Sequence, residues 1–339
     1  MQAYNLRNRS GKQKTGSNRM MQVEFVIGSV LLLVAVVSLG YISIGGIKKP
    51  GFGSNNSAIG NVLYHDPNQP VMWLFYDTDE VNSRSWKDYG ARSERALNMP
   101  FLNLCYDTIV SRNKDHYRIE VIGGLTGVAE LLGGWDNMPS GLRNPLKPVR
   151  ERELNWIRAA ILSKYGGLWL CPYTICVKTF GKLPRDNIVF YGTDLLETYS
   201  GKEGTSVPGF RCIWSPVPEH PLFVEWEQIC RARLEMETGG QEIRRDENWD
   251  WVALSSKYND FVIDVHAEGS RRGDGRRIEL EDLLSSGSGN NLPFALSDSV
   301  LFVPIPWPEI RRRLTYGWFL RMSEDQIMES DIAVRYIIG

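Results

Sequence analysis

The longest apolar segment of the chain runs from Phe25 to Ile47 and contains no charged residue. Its 23 residues would span roughly 34 Å as a helix, enough to cross a hydrocarbon core of ~30 Å. The first twenty residues carry five Lys and Arg and no acid. The positive-inside rule therefore predicts a cytosolic N-terminus and an exoplasmic main domain, as in a type II single-pass membrane protein.

This pattern divides the chain into four parts. Residues 1–24 form a basic cytosolic tail, 25–47 a transmembrane signal anchor, 48–69 a stem rich in Gly, Asn, Ser and Pro, and 70–339 a globular domain. A cleaved signal peptide ending near Ser38-Leu39-Gly40 is the alternative, but its apolar region would be unusually long. The predicted localisation is a membrane, with the domain in the Golgi or ER lumen, on a cell surface or on a virion.

Beyond the stem, apolar runs alternate with amphipathic segments. Val71–Tyr76 is a continuous apolar run typical of a buried strand, and residues 100–113 show the spacing of a helix. The next predicted strand spans 117–122. A second helix at 151–164 leads into a strand at 168–170. Further strands are predicted at 188–191, 210–214, 261–265 and 300–303, with helices at 221–237, at 249–257 and after Ser323. This order predicts an α/β fold with a mixed, mainly parallel sheet flanked by helices.

Composition and charge exclude some functions. Residues 1–49 hold seven Lys and Arg and one Glu, so the remainder carries 32 basic and 39 acidic residues, a net charge of −7. Such a domain has no overall field to attract nucleic acid. The five cysteines form no C-x-x-C pair and indicate no disulfide framework.

The most informative stretch is RAAILSKYGGLWL, from Arg158 through Gly166 and Gly167 to Leu170. It resembles the sugar-transferase segment of capsular-polysaccharide-synthesis proteins and of Golgi mannosyltransferase-like enzymes with a DXD motif. In those families a helix carrying Asp-x-x-Arg leads into Tyr-Gly-Gly, a short apolar strand and then Asp-x-Asp. The resemblance covers about residues 70–180. It implies a GT-A-like (Rossmann-like) glycosyltransferase domain, a nucleotide-sugar donor, a glycan or polysaccharide acceptor, and a Mn²⁺ or Mg²⁺ ion.

At three positions the chain departs from this pattern. Asn155 stands where the family has its helix aspartate, and Cys171 and Tyr173 stand where it has the two DXD aspartates. Neither a thiol nor a phenol suits a hard divalent cation, so no metal is expected there. The resemblance still implies donor binding by Asn155, Arg158, Gly166, Gly167, Cys171 and Tyr173.

Other carboxylates could substitute. Asp77 and Asp79 form a literal D-x-D after the first strand, where ligands bind in open α/β sheets, and they are candidate donor or metal ligands. Asp194 also follows a predicted strand and is a candidate donor contact. Asp250 lies where the resemblance places an acceptor-side acid, which makes it a candidate general base. For each of these, a solvated loop or helix-terminal carboxylate is the alternative.

Two arginine clusters offer a metal-free route to a diphosphate, the loop 271–277 and the run 311–313. Solvated surface turns with internal ion pairs are the alternative for both.

Two functional hypotheses follow. The first is a membrane-anchored glycosyltransferase with an altered or metal-independent site. The second is a pseudoenzyme, a catalytically inactive transferase fold that serves as a structural or interaction component, for example of a virion or of a glycosylation complex, with protein partners in place of substrates. Fold alone does not decide between them.

Overall fold

The computed structural model describes residues 69–77, 99–144, 149–195, 206–239, 254, 256–265, 271–289 and 291–339. The predicted tail, transmembrane segment and nearly all of the stem lie outside these residues, as do Asp79 and Asp250. Within the described ranges, no helix has both the length and the apolar character needed to span a bilayer.

A mixed six-stranded sheet organises the domain. Its strands are β1 (Val71–Tyr76), β2 (Arg118–Gly123), β3 (Gly167–Leu170), β5 (Ile188–Tyr191), β8 (Cys212–Ser215) and β9 (Val262–Val265), in the order β2-β1-β3-β8-β5-β9. The pairs β1–β2, β1–β3 and β5–β9 are parallel. Strand β8 is antiparallel to both neighbours, so five strands share one direction. The predicted mixed, mainly parallel α/β sheet is confirmed.

Within the described ranges, four short strands lie outside this sheet. They are β4 (Thr174–Cys176), β6 (Thr193–Leu195), β7 (Ser206–Pro208) and β10 (Phe302–Pro304). Antiparallel pairing joins β4 to β10 and β6 to β7.

The helices of the described residues flank the sheet. They are α1 (Phe101–Asn113), α2 (Gly124–Leu132), α3 (Glu151–Tyr165), α4 (Pro221–Thr238), α5 (Leu280–Leu283), α6 (Trp307–Arg312), α7 (Glu324–Glu329) and α8 (Ala333–Ile338). At the start of helix α3, the Glu153 carboxylate accepts from the backbone N–H of Arg150 and from its guanidinium. The predicted helix after Ser323 is confirmed, and it begins with a capping box in which the Ser323 hydroxyl accepts from the backbone N–H of Gln326.

Both faces of the sheet are covered, because successive side chains of a strand point to opposite faces. On one face, Leu74 and Leu170 pack with α1 and with the C-terminal segments that include Phe302 and Phe319. On the other, Trp73 and Trp169 pack with α2, α3 and α4. The continuous apolar runs of β1 and β3 reflect this two-sided burial.

The structure differs from the predicted elements at short segments. Helix α2 begins at Gly124, directly after β2, in a segment for which the sequence pattern predicted no helix. The arginine loop 271–277 contains a tight turn closed by a bridge between Arg271 and Arg277. The pattern-based predictions also omitted strands β4, β6 and β7, each of three residues.

Candidate functional site

A pocket lies at the carboxyl ends of β1 and β3. These strands pair in parallel with Leu74 opposite Leu170, so the segments that follow them emerge side by side at one edge of the sheet. This is the edge where open α/β sheets bind ligands. The cavity volume is about 50 Å³, room for a few water molecules or one compact polar group. The lining comprises Phe75, Tyr76, Asp77, Met99, Leu102, Val149, Leu154, Arg158, Trp169, Cys171, Pro172, Tyr173 and Trp307.

Arg158 is the pocket's buried cation. It projects from α3 with only 3% of its surface exposed. Its Nη1 donates to Glu151 Oε1 and to Asn155 Oδ1, both at 2.6 Å. Burial acts to lower the pKa of the guanidinium, but Glu151 outweighs this and the pKa is raised. The side chain therefore stays charged within the fold.

Arg158 also carries an unused donor. No described residue accepts a hydrogen bond from its buried Nε. The same holds for the buried indole Nε1 of Trp169, which lines the same pocket. Buried side-chain donors in native proteins usually have an acceptor, which is either protein or ordered water.

Asn155 positions the arginine. It is buried, and its Oδ1 accepts from Arg158 at the position where the sequence resemblance implies a carboxylate. The amide oxygen keeps the hydrogen bond but adds no negative charge. Of the two groups bonded to Nη1, only Glu151 is charged, and 64% of its side chain is exposed. Glu151 therefore supplies the one negative charge in direct contact with Nη1, and it does so from a largely exposed position.

Cys171 and Tyr173 are neutral in this environment. Burial raises the pKa of the Cys171 thiol to about 11, although Arg211 and Arg158 act in the opposite direction. Burial, followed by the proximity of Cys171, also raises the pKa of Tyr173 well above its usual value. A thiol and a phenol that keep their protons do not fit Mn²⁺ or Mg²⁺, which require anionic or carbonyl oxygen. Across the described ranges, no group of three or more His, Cys, Asp or Glu side chains could hold a metal.

Gly166 and Gly167 lie at the opposite end of β3 from the pocket. Both have positive φ, +63° and +95°. A Cβ on Gly167 would lie 2.5 Å from the carbonyl oxygen of Val71. The indole N–H of Trp73 donates to Gly166 O at 2.9 Å. The pair therefore allows a tight turn against β1, and the structure does not bring it together with the other predicted donor contacts.

The remaining acidic candidates are placed differently. Asp77 lines the pocket, and its Oδ2 accepts from the backbone N–H of Val149 at 3.0 Å. Asp194 lies in β6 opposite Val207, with its side chain outside the description. Asp79 and Asp250 lie outside the described residues, so a D-x-D ligand pair and a base at Asp250 remain predictions.

The arginine clusters form ion pairs of their own. Arg276 and Arg272 pair with Asp274, and Arg272 also pairs with Asp282. Arg313 binds Glu281 and Glu309. Among the described residues, the pocket lining includes no arginine other than Arg158. These contacts match the alternative of solvated turns with internal pairing.

Sequence reasoning missed Glu151 and Trp169. Glu151 precedes Arg158 by seven residues, two helical turns, and that spacing on a predicted helix could have indicated the contact. Trp169 was placed in a buried strand, and no sequence signal distinguishes its unpaired N–H from that of Trp73.

The chain matches no family model and no curated protein. Partial similarity is found to chains of several solved structures, including the following three. One is a transferase, with 12% identity and a TM-score of 0.30 over 56% of this chain and 84% of that one. The PaToxG glycosyltransferase has 13% identity and a TM-score of 0.28, over 57% of this chain and 71% of that chain. A transferase variant with two cysteine-to-serine changes has 14% identity and a TM-score of 0.26, over 57% of this chain and 89% of that chain. Similarity at this level does not assign the chain to a family.

Proposed function

We propose that this chain is a membrane-anchored, type II glycosyltransferase-like protein that binds a nucleotide-sugar donor without the DXD metal. It transfers the sugar to a glycan or polysaccharide acceptor. The observation that carries the proposal is Arg158, a buried cation with an unused donor at the carboxyl edge of a mainly parallel sheet.

The charge balance of the pocket supports a metal-independent site. A departing nucleoside diphosphate gains negative charge, which a cation must stabilise. In the family pattern, three aspartates surround the metal and the arginine. Here Asn155, Cys171 and Tyr173 are all neutral, so they do not repel phosphate. Arg158 then acts on the diphosphate with less competition from neighbouring acids.

Asp77 and Asp250 have different proposed roles. Asp77 is the one carboxylate among the described lining residues. With Asp79 it is the alternative metal ligand pair, if a metal is used at all. Asp250 is the proposed general base that would accept a proton from the acceptor hydroxyl.

An inactive transferase fold is the second candidate. The specific observation in its favour is the buried, neutral pair of Cys171 and Tyr173 beside a cavity of about 50 Å³. Such a protein would act through binding, as a membrane-anchored component of a virion or a glycosylation complex. Restoring both acids with Cys171→Asp and Tyr173→Asp tests this candidate. A gain of Mn²⁺-dependent nucleotide binding would indicate a disarmed pocket.

Turnover of UDP- and GDP-sugars by the full chain, purified in detergent, tests the proposal. The expected result is nucleotide release that persists in EDTA and falls roughly 100-fold or more in Arg158→Met, since a donor to the developing charge is lost. Arg313→Met is the matched control, because that arginine pairs with Glu281 and Glu309 away from the pocket. Absence of turnover with every donor, in a protein that still folds, would contradict the proposal.

A further inference from the structure

A short segment after α6 exposes apolar side chains to solvent. Leu314 is 92% exposed, the highest value for a large hydrophobic side chain among the described residues, and Met236 follows at 50%. Trp318, in the next turn of the chain, is 37% exposed. Single exposed apolar residues are normal on a protein surface, but two so close together form a local patch.

A buried aromatic residue fixes this segment to the core. Leu314–Tyr316 forms a 3₁₀ turn, and the backbone N–H of Gly317 donates to Leu314 O at 3.1 Å. Phe319 is fully buried, and its ring centroid lies 5.4 Å from that of Phe101 on α1. The exposure of Leu314 is therefore a property of the folded turn.

Exposed arginines flank the apolar pair. Arg312 precedes it and Arg321 follows it, and both side chains are exposed. Arg313, between them, is occupied by its two ion pairs. Residues 307–322 hold four arginines and one glutamate, a net charge of +3, whereas residues 50–339 together carry −7. The segment is therefore a cationic region on an acidic domain.

We infer that Arg312, Leu314, Trp318 and Arg321 form a docking surface that holds the domain against a phospholipid bilayer. Leu314 and Trp318 enter the boundary between headgroups and acyl chains, where apolar side chains leave water and tryptophan is favoured. The two arginines bind lipid phosphates. A polyanion such as nucleic acid or a charged glycan would also bind arginine, but it would leave Leu314 in water. The exposed leucine therefore favours a bilayer as the occupant.

One short helix connects the docking surface with the pocket. Trp307, the first residue of α6, lines the pocket, and Leu314 follows the last residue of α6 by two positions. A helix of six residues extends about 9 Å, so docking keeps the pocket near the membrane. The inference rests on the proposed membrane anchoring, since the predicted anchor would tether the domain to a bilayer, and it does not require donor binding.

Spin-label accessibility in vesicles tests the docking surface. The full chain is reconstituted in phosphatidylcholine vesicles, with or without phosphatidylglycerol, and carries one nitroxide at Leu314→Cys or at Met236→Cys. Met236 is the matched control, because α4 packs on the opposite face of the sheet from α6. A Cys230→Ser background removes the one native cysteine that is not buried.

The nitroxide at residue 314 should collide several-fold less often with a water-soluble nickel chelate than the one at residue 236, and more often with oxygen. The difference should increase with phosphatidylglycerol, because the arginines are attracted to anionic lipid. Arg312→Gln should raise the nickel collision rate at residue 314. Arg143→Gln should not, although it removes the same charge, because Arg143 donates to Met138 O on the α4 side of the sheet.

Equal nickel collision rates at residues 314 and 236 in both kinds of vesicle would overturn the inference. Low collision rates with both nickel and oxygen at residue 314 would also overturn it, since they indicate burial against a protein, including a second copy of this chain. Failure of the proposed function gives different results. Alkaline carbonate would extract a chain that lacks an anchor, and a failed transferase proposal would leave residue 314 protected while no sugar donor binds or turns over.

Discussion

Gly167→Ala should destabilise the protein much more than Gly275→Ala, although both glycines have positive φ angles of similar size. Their φ angles are +95° and +82°. A side chain at positive φ costs about 1–2 kcal/mol, so both substitutions carry this term. The difference is in the surroundings, because a Cβ on Gly275 would meet nothing within 4 Å.

At Gly167 the added Cβ would lie 2.5 Å from the carbonyl oxygen of Val71, which is 0.9 Å short of ordinary contact at 3.4 Å. The overlap is with backbone, and relief would require β1 and β3 to separate where they begin to pair. Overpacking of this kind costs about 1–3 kcal/mol, which brings the total to about 2–5 kcal/mol.

Denaturant unfolding of the full chain, followed by tryptophan fluorescence, measures both free energies of unfolding. A loss in Gly167→Ala within about 0.5 kcal/mol of that in Gly275→Ala would refute the reasoning, because independent sites are compared to that accuracy. A folded Gly167→Ala protein should still bind donor normally, since the pocket lies at the other end of β3. Weak binding by a folded variant would favour the donor-binding role that the sequence resemblance implies.

Three further predictions concern the pocket. Asp77→Asn should strengthen donor binding in EDTA, because it removes a carboxylate that repels the diphosphate while the amide oxygen can still accept from the backbone N–H of Val149. If calorimetry instead shows weaker binding and a lost dependence on Mn²⁺, Asp77 is a metal ligand. Glu151→Gln should lower the free energy of unfolding by about 1–3 kcal/mol, because the buried Arg158 loses its charged partner while an amide oxygen can still accept from Nη1. No measurable loss in denaturant unfolding would contradict this. Burial raises the pKa of the Cys171 thiol from 9.0 in the unfolded chain to about 11 in the native protein, so its contribution to stability is complete below pH 9 and is lost by about pH 11. Cys171→Ala should therefore reduce the alkaline loss in the free energy of unfolding by about 2–3 kcal/mol. Parallel losses in the parent and the variant, measured by denaturant unfolding against pH, would argue against a buried thiol.

The elements that were predicted well from sequence are those whose burial requires a recognisable pattern of apolar residues. Val71–Tyr76 is buried along nearly its whole length, so it reads as an uninterrupted apolar run. Helix α3 combines an apolar stripe with a terminating Gly166. Helix α2 was missed because its sequence contains Gly124 and Gly127 and its first turn has no side-chain cap. Tertiary contacts with β2 and α3 override that weak propensity.

The candidate site was only partly accessible from sequence. Arg158, Asn155, Cys171 and Tyr173 were predicted through the resemblance, and of these the lining includes Arg158, Cys171 and Tyr173. The unused N–H of Trp169 could not be predicted, because it depends on which acceptors the fold places around the indole. Gly166 and Gly167 lie away from the pocket because β3 begins at Gly167 and runs toward the pocket at its carboxyl end. That separation also depends on the fold and could not be predicted from the sequence.

Calorimetric titration of the full chain with UDP- and GDP-sugars, in EDTA and in Mn²⁺, tests metal-independent donor binding most directly. We expect one class of donor to bind in EDTA with an affinity that Mn²⁺ leaves unchanged, and we expect Arg158→Met to abolish this binding while Arg313→Met does not. Binding that requires Mn²⁺, or no binding to any donor by the folded protein, would contradict the account.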